Sequence, residues 1–179
     1  MSVFSNPKSG AADAAAAYIA AVLGLLGERD PLSVLRATAA RLRESVQGLS
    51  REDLRRPERP GRWSVVEILQ HLADSELVWA YRMRLVAAED RPTLTGYDQD
   101  AWVTGLRYRD GDPEDALQQF ELLRRLNLRL LHGLPPGGLE RVGLHNERGE
   151  ESLGHMVRLY AGHDLVHLRQ LERVLTVVR

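Results

Sequence analysis

Residues 61–76 read Gly61-Arg62-Trp63-Ser64-Val65-Val66-Glu67-Ile68-Leu69-Gln70-His71-Leu72-Ala73-Asp74-Ser75-Glu76. Ser64 and Glu67 occupy the two positions of a capping box, in which the serine hydroxyl accepts from the amide of the third helical residue and the glutamate accepts from the serine amide. Trp63 and Ile68 are placed as the hydrophobic staple across that start. The spacing therefore predicts a helix that opens at Ser64 and runs to about Ala88.

Outward from this helix the same punctuation recurs. Asp30-Pro31 sets a capping side chain before a proline at the first helical position, and Leu32, Leu35, Ala39, Leu42 and Val46 follow at helical spacing, predicting a helix that ends near Leu49. Asp112-Pro113, with Glu114 and Asp115 in the first turn, opens another that reaches His132 before Pro135-Pro136-Gly137-Gly138 stops it. A fourth starts near Ser152 and places Leu153, Met156, Tyr160, His163, His167, Leu168, Leu171 and Leu175 on one broad face. The alanine-rich stretch from Ala11 to Gly27 contains Asp13, lacks a convincing A-x-A cleavage site and runs into Glu28, Arg29 and Asp30. It reads as an additional N-terminal helix, not a signal peptide or a membrane span.

No stretch alternates with period two for long, so the expected fold is all-α: a four-helix bundle with that extra helix in front. Residues 1–10 are expected to be disordered and 11–179 to form a single domain. Two connections are long, about fourteen residues before Ser64 and the still longer segment from Glu89 to Gly111. Loops of that length line a site or are disordered, which draws attention to Tyr97, Asp98, Gln99, Asp100 and Trp102.

Against 25 acidic residues the 179-residue chain sets 24 basic ones, a net charge of -1. Such a balance gives no case for nucleic acid or an anionic membrane as partner, and, with the N-terminal stretch read as neither signal peptide nor span, a cytoplasmic protein is expected. With no cysteine, disulfides, thiolate zinc sites and a cysteine nucleophile are all excluded. Any metal must be held by His, Asp or Glu.

Of six histidines, His163 and His167 have the sharpest spacing, because residues four apart share a helix face and their imidazoles can converge on one ion. An isolated pair of this kind also arises by chance at a helix surface. His71 adds to it, lying amid apolar residues of the capped helix, although a lone histidine there is more often a satisfied core residue. Three histidines on two helices can form a facial set that leaves positions open for water or substrate. His163-Asp164-Leu165-Val166-His167 is not a zinc-protease HExxH, since Asp lacks the reach of Glu and only twelve residues follow. A di-iron bundle is excluded too, because no E-x-x-H occurs.

Other polar residues carry weaker signals. Glu67 is one turn before His71 but already has its capping role. Asp74 and Ser75, one turn after His71, are candidates to orient its imidazole, with surface solvation the alternative. Asp164 points about 100° away from His163 and should pair with an arginine, and His155 is about 80° off that face. His145 and Glu150 either reach over the site or are solvated, the second being the expectation.

The stretch from Gly61 to Glu76 resembles the second-helix signature of the DinB-like (YfiT-like) four-helix-bundle proteins. Tyr160-Ala161-Gly162-His163-Asp164-Leu165-Val166-His167-Leu168-Arg169-Gln170-Leu171-Glu172-Arg173 is similar to their last-helix signature. The resemblance runs from about Tyr18 to Leu175. It implies one divalent metal, nickel or zinc, held by His71, His163 and His167, with no departure among the three, and a homodimer. Tyr97, Asp98 and Trp102 resemble a loop that closes over the site in that family.

The activity implied is less uniform. Some members are thiol transferases that join mycothiol or bacillithiol to an electrophile, and others are named metal-dependent hydrolases. The expectation is a metal-dependent thiol S-transferase acting on a small-molecule substrate with a low-molecular-weight thiol. The alternatives are a metal-dependent hydrolase and a non-catalytic, stress-associated metal-binding bundle.

Overall fold

In the computed structural model the capping box at Ser64 forms: Ser64 Oγ accepts from the Glu67 amide and Glu67 Oε2 accepts from the Ser64 amide at 2.8 Å. The structure describes residues 12–179, so the expectation of a disordered 1–10 segment lies outside the described residues. Helix α1 spans Ala12–Leu26, α2 Pro31–Val46, α3 Arg51–Arg55, α4 Val65–Ala88, α5 Gln99–Gly105, α6 Pro113–His132 and α7 Leu153–Val178. Asp30, Asp112 and Ser152 cap α2, α6 and α7 through their side-chain oxygens. Among the described residues no helix is long and apolar enough to cross a membrane.

Four of these helices make the bundle. α2 packs on α6 and α7, and α4 packs on the same two, so α2 and α4 lie across a diagonal; α1 lies on the outside of α7. At the closest approach of α1 and α7 stands Gly162. A Cβ there would fall 2.5 Å from the Val22 carbonyl oxygen, so the residue before His163 must be glycine for these backbones to meet.

Two apolar clusters fill the bundle, one at each end. The first joins the start of α4 and α6 to the end of α2 and α7, around Leu42, Val65, Leu69, Phe120, Leu168 and Leu171. The second joins the end of α4 to the start of α7, around Val22, Leu35, Trp79, Met83, Met156 and Tyr160. This sharing of ends makes α4 and α6 parallel to each other and antiparallel to α2 and α7. Between the clusters lies a buried polar layer: His71, Ser75 and Glu76 of α4, Arg124 and Asn127 of α6, and His163, Asp164 and His167 of α7.

The parallel pair explains the long segment from Glu89 to Asp112. At about 1.5 Å per residue α4 is about 36 Å long, and the chain must return along that length before α6 can start. It does so in contact with α4: Tyr97 meets Ser75, Tyr108 meets Asp74, and the Asp112 carbonyl meets Gln70.

The bundle expectation stands, with one addition. Strands β1 (Thr93–Leu94), β2 (Val142–His145) and β3 (Gly149–Ser152) form a small sheet, β1 parallel to β2 and β2 antiparallel to β3. Pieces of two to four residues are too short for an alternating pattern to register in sequence. Gly149, at φ +78°, turns the β2–β3 hairpin in a conformation open to glycine. The two long connections are likewise partly structured. The first holds α3, with its own capping box of Ser50 and Asp53, and the second holds β1, α5 and a 3-10 turn at Tyr108–Asp110.

Candidate metal centre

His71 lies two turns into α4, and His163 and His167 lie one turn apart near the middle of α7. The three side chains converge: each pair of Nε2 atoms is 3.1 Å apart. All three residues are buried. Trp63 lies against this group, its ring centroid 5.0 Å from that of His71 and stacked on His167 at 6.1 Å.

Such a triangle fits an ion. With nitrogen donors about 2.0–2.1 Å from a metal, adjacent donors are about 3.3 Å apart in a tetrahedral shell and about 2.9 Å apart in an octahedral one. The observed spacing falls between the two, so the three nitrogens match one face of either. His167 Nδ1 lies 2.8 Å from Gln170 Oε1 and donates to it, which assigns the proton to Nδ1 and leaves the Nε2 lone pair facing inward. The Nδ1 atoms of His71 and His163 are buried with no partner among the described residues.

The electrostatics also suit ligation. Burial, with His167 and His163 beside it, holds His71 well below its usual 6.5. Burial and Arg124 pull His163 down to about 4, and burial and His163 pull His167 down to about 3. All three imidazoles are therefore neutral at pH 7, the form that binds metal.

Several other candidates have structural roles. Glu67 serves the capping box. Asp74 accepts from Tyr108 Oη at 2.7 Å and from Gln119, tying the return segment and α6 to α4; it does not bond to His71. Its neighbour Ser75 instead lies by that ring, Oγ 3.3 Å from His71 Nε2 and 3.1 Å from Tyr97 Oη. Asp98 caps α5 through the Ala101 amide. Asp164 pairs with Arg124, as its angle predicts. Glu150 is exposed and paired with Arg91 at 2.6 Å.

His145 is a correction: expected to be solvated, it is 3 % exposed. Its Nδ1 accepts from the Glu147 amide, because the hairpin folds the ring inward. It is not part of the three-histidine group.

A pocket reaches this centre, walled in part by Ser75, Tyr97 and His163. A larger open depression of about 560 Å³ lies around Val46, Pro113 and Leu117. It contains no histidine, and its Arg43 is answered by Glu114 and Glu121. Sequence reasoning missed Gln170, although its i+3 spacing from His167 was a usable signal. It also missed Arg82 and Arg148 of the pocket wall, which nothing in the sequence sets apart.

Fold and site together define a helical-bundle protein with a buried three-histidine centre. More particularly, the chain belongs to the DinB superfamily, which it matches over residues 35–171. It is 32 % identical over 130 residues to an Oceanobacillus iheyensis protein named as a candidate metal-dependent hydrolase, covering 73 % of this chain and 75 % of that one. It is 28 % identical over 146 residues to Bacillus subtilis YfiT, named likewise, covering 79 % and 82 %. A solved structure of YfiT, described as a probable metal-dependent hydrolase with an unusual four-helix bundle topology, has the same fold. The TM-score is 0.75 at 22 % identity, over 95 % of this chain and 91 % of that one.

Proposed function

We propose that His71, His163 and His167 hold one divalent ion, nickel or zinc, and that the protein is a metal-dependent enzyme joining a low-molecular-weight thiol, of the bacillithiol or mycothiol type, to a small electrophile. The observation that carries the metal-dependent reading is the donor set. Three neutral imidazoles converge, and among the described residues no fourth His, Asp or Glu closes the group. Structural ions are closed by a fourth protein ligand, whereas catalytic ones keep a position open. The same observation speaks against a non-catalytic bundle.

A divalent ion held there lowers the pKa of a thiol or water beside it, making a nucleophile available near neutral pH. The chain itself has no cysteine to serve instead. Its own residues supply position and protons. Trp63 covers the histidines with an apolar face, and Ser75 links His71 to Tyr97. Burial raises Tyr97 above its usual value, so its hydroxyl keeps a proton at the pocket wall.

Hydrolysis is the second reading, favoured by the names of the Oceanobacillus and Bacillus relatives; water then takes the place of the thiol. Metal-loaded protein assayed with bacillithiol, mycothiol and an electrophile, beside a panel of esters and amides, separates the two. Thiol adducts support S-transfer and ester or amide cleavage supports hydrolysis. Turnover of none of these overturns the enzyme reading.

A further inference from the structure

The pocket beside the histidines is walled by Tyr18, Ser75, Arg82, Tyr97, Arg148 and His163, among others, and its volume is about 50 Å³. A cavity that holds one water has about 10–15 Å³ on the same measure, so the space takes a group of a few heavy atoms. The two arginines differ in their surroundings. Arg148 gives both arms to Glu151, at 2.6 Å and 2.8 Å, and its charge is answered.

Arg82 of α4 is only 5 % exposed. It donates from Nη2 to the Thr95 carbonyl, and its Nε is buried with no partner. Among the described residues no carboxylate lies within ion-pair distance of it; Glu151 and Glu147 act on it at longer range, behind the opposing charge of Arg148. Burial and Arg148 pull it down to about 10, so it is still a cation at neutral pH. A buried cation with no anion destabilises a fold, and its presence in a pocket wall is explained when the anion arrives with a ligand.

We propose that Arg82 anchors a carboxylate-binding subsite beside the three-histidine centre, so that the substrate is a small molecule carrying a carboxylate near its reacting group. One unanswered charge matches a monoanion better than a phosphate dianion. The planar guanidinium fork matches the two oxygens of a carboxylate. Because Arg82 and His163 wall the same small pocket, anchor and reacting group belong to one molecule. The statement about the substrate rests on the metal-dependent reading; the subsite does not.

Ligand-observed NMR titration of the full chain tests it, with metal loaded and after chelation, using propionate and its uncharged counterpart propionamide. Wild type is expected to bind propionate about tenfold tighter or more, with or without metal. Arg82→Gln loses that preference while keeping its metal content, and Arg82→Lys keeps part of it. A melt of Arg82→Gln at or above the wild-type temperature shows that the loss is not misfolding. Equal binding of the two probes by wild type, or an unchanged preference in Arg82→Gln, overturns the proposal. So does a preference seen only with metal loaded, because the anion is then on the ion. An intact preference in a wild type that binds no metal overturns the metal reading and leaves the subsite standing.

Discussion

Arg124 and Asp164 meet end-on in the middle of the bundle, Nη1 to Oδ2 at 2.8 Å and Nη2 to Oδ1 at 3.1 Å, one residue from His163. The same guanidinium donates to Glu76 of α4 and to the Leu35 carbonyl of α2. It also lies over the rings of Phe120 and Tyr160. One side chain of α6 thus ties the other three bundle helices together at the level of the histidines.

Arg124→Met leaves two buried carboxylates without their cation. The expected cost is about 3–5 kcal/mol, the range for breaking a buried pair from one side. Arg43→Ala removes exposed pairs with Glu114 and Glu121, and should cost under about 1 kcal/mol. Urea denaturation of both variants measures the contrast. Similar costs for the two would contradict the tying role of Arg124.

Removing ring nitrogens from α7 should remove the metal. Purified wild type is expected to carry about one nickel or zinc per chain, the one-ion content of an open three-histidine site. The double variant His163→Ala/His167→Ala is expected to carry almost none. Elemental analysis decides, and full retention by the double variant would sink the site.

Much of this was legible in the sequence for a local reason. Caps act within one turn, so Asp30, Ser64, Asp112 and Ser152 mark the starts of α2, α4, α6 and α7. The meeting of His163 with His167 likewise follows from helical spacing alone. What stayed hidden depends on tertiary packing. Nothing local sets α4 parallel to α6, and that arrangement is what lays Tyr97 along α4 against Ser75. The burial of His145 requires the β2–β3 hairpin, and the burial of Arg82 requires that the return segment cover it. The three rings are observed to converge; their role as ligands is the proposal.

The metal-free protein should lose stability as pH falls. His163 and His167 titrate at about 4 and about 3 when folded, against about 6.5 unfolded. Their contribution is therefore complete above about 6.5 and disappears as pH drops toward those folded values, by at most about 1.4 kcal/mol per pH unit for each. His145, pulled to about 4 by burial, Arg148 and Arg82, acts in the same sense. Glu76, raised to about 7 by burial against Arg124, opposes them, but it is one group against several. Urea midpoints of chelated protein between about pH 7.5 and 5.5 test the sign. A rise in stability toward acid would refute it.

Gln170 orients His167 without touching the centre. Gln170→Leu removes the acceptor of the Nδ1 proton and frees the ring to turn, which should weaken metal binding about 10–100-fold. Gln170 is only partly buried on α7, so the metal-free melt should hardly move. Competition against a chromophoric chelator measures the affinity. Unchanged affinity would mean that packing against Trp63 alone holds the ring.

His71 distinguishes a ligand from a core histidine. It lies between Leu69 and Leu72 on the buried side of α4, and its Nδ1 makes no bond, so the ring holds no backbone group in place. Were packing its only role, His71→Gln would cost about 1–3 kcal/mol and leave bound metal untouched. As third ligand, the same change should weaken metal binding by orders of magnitude while the metal-free melt stays near wild type. Mass action gives the readout. At a metal concentration 100 times Kd the bound state gains about 2.7 kcal/mol, about 5–11 °C in Tm for a chain of this size. Wild type should show that gap between loaded and chelated forms, and His71→Gln should not. Equal gaps would remove His71 from the ligand set. The other candidates near the hairpin could not replace it, because Glu150 is held at the surface by Arg91 and His145 stands apart from the group. Any ion would then rest on the two histidines of α7, and the 3.1 Å approach of the third ring would need a cause other than metal.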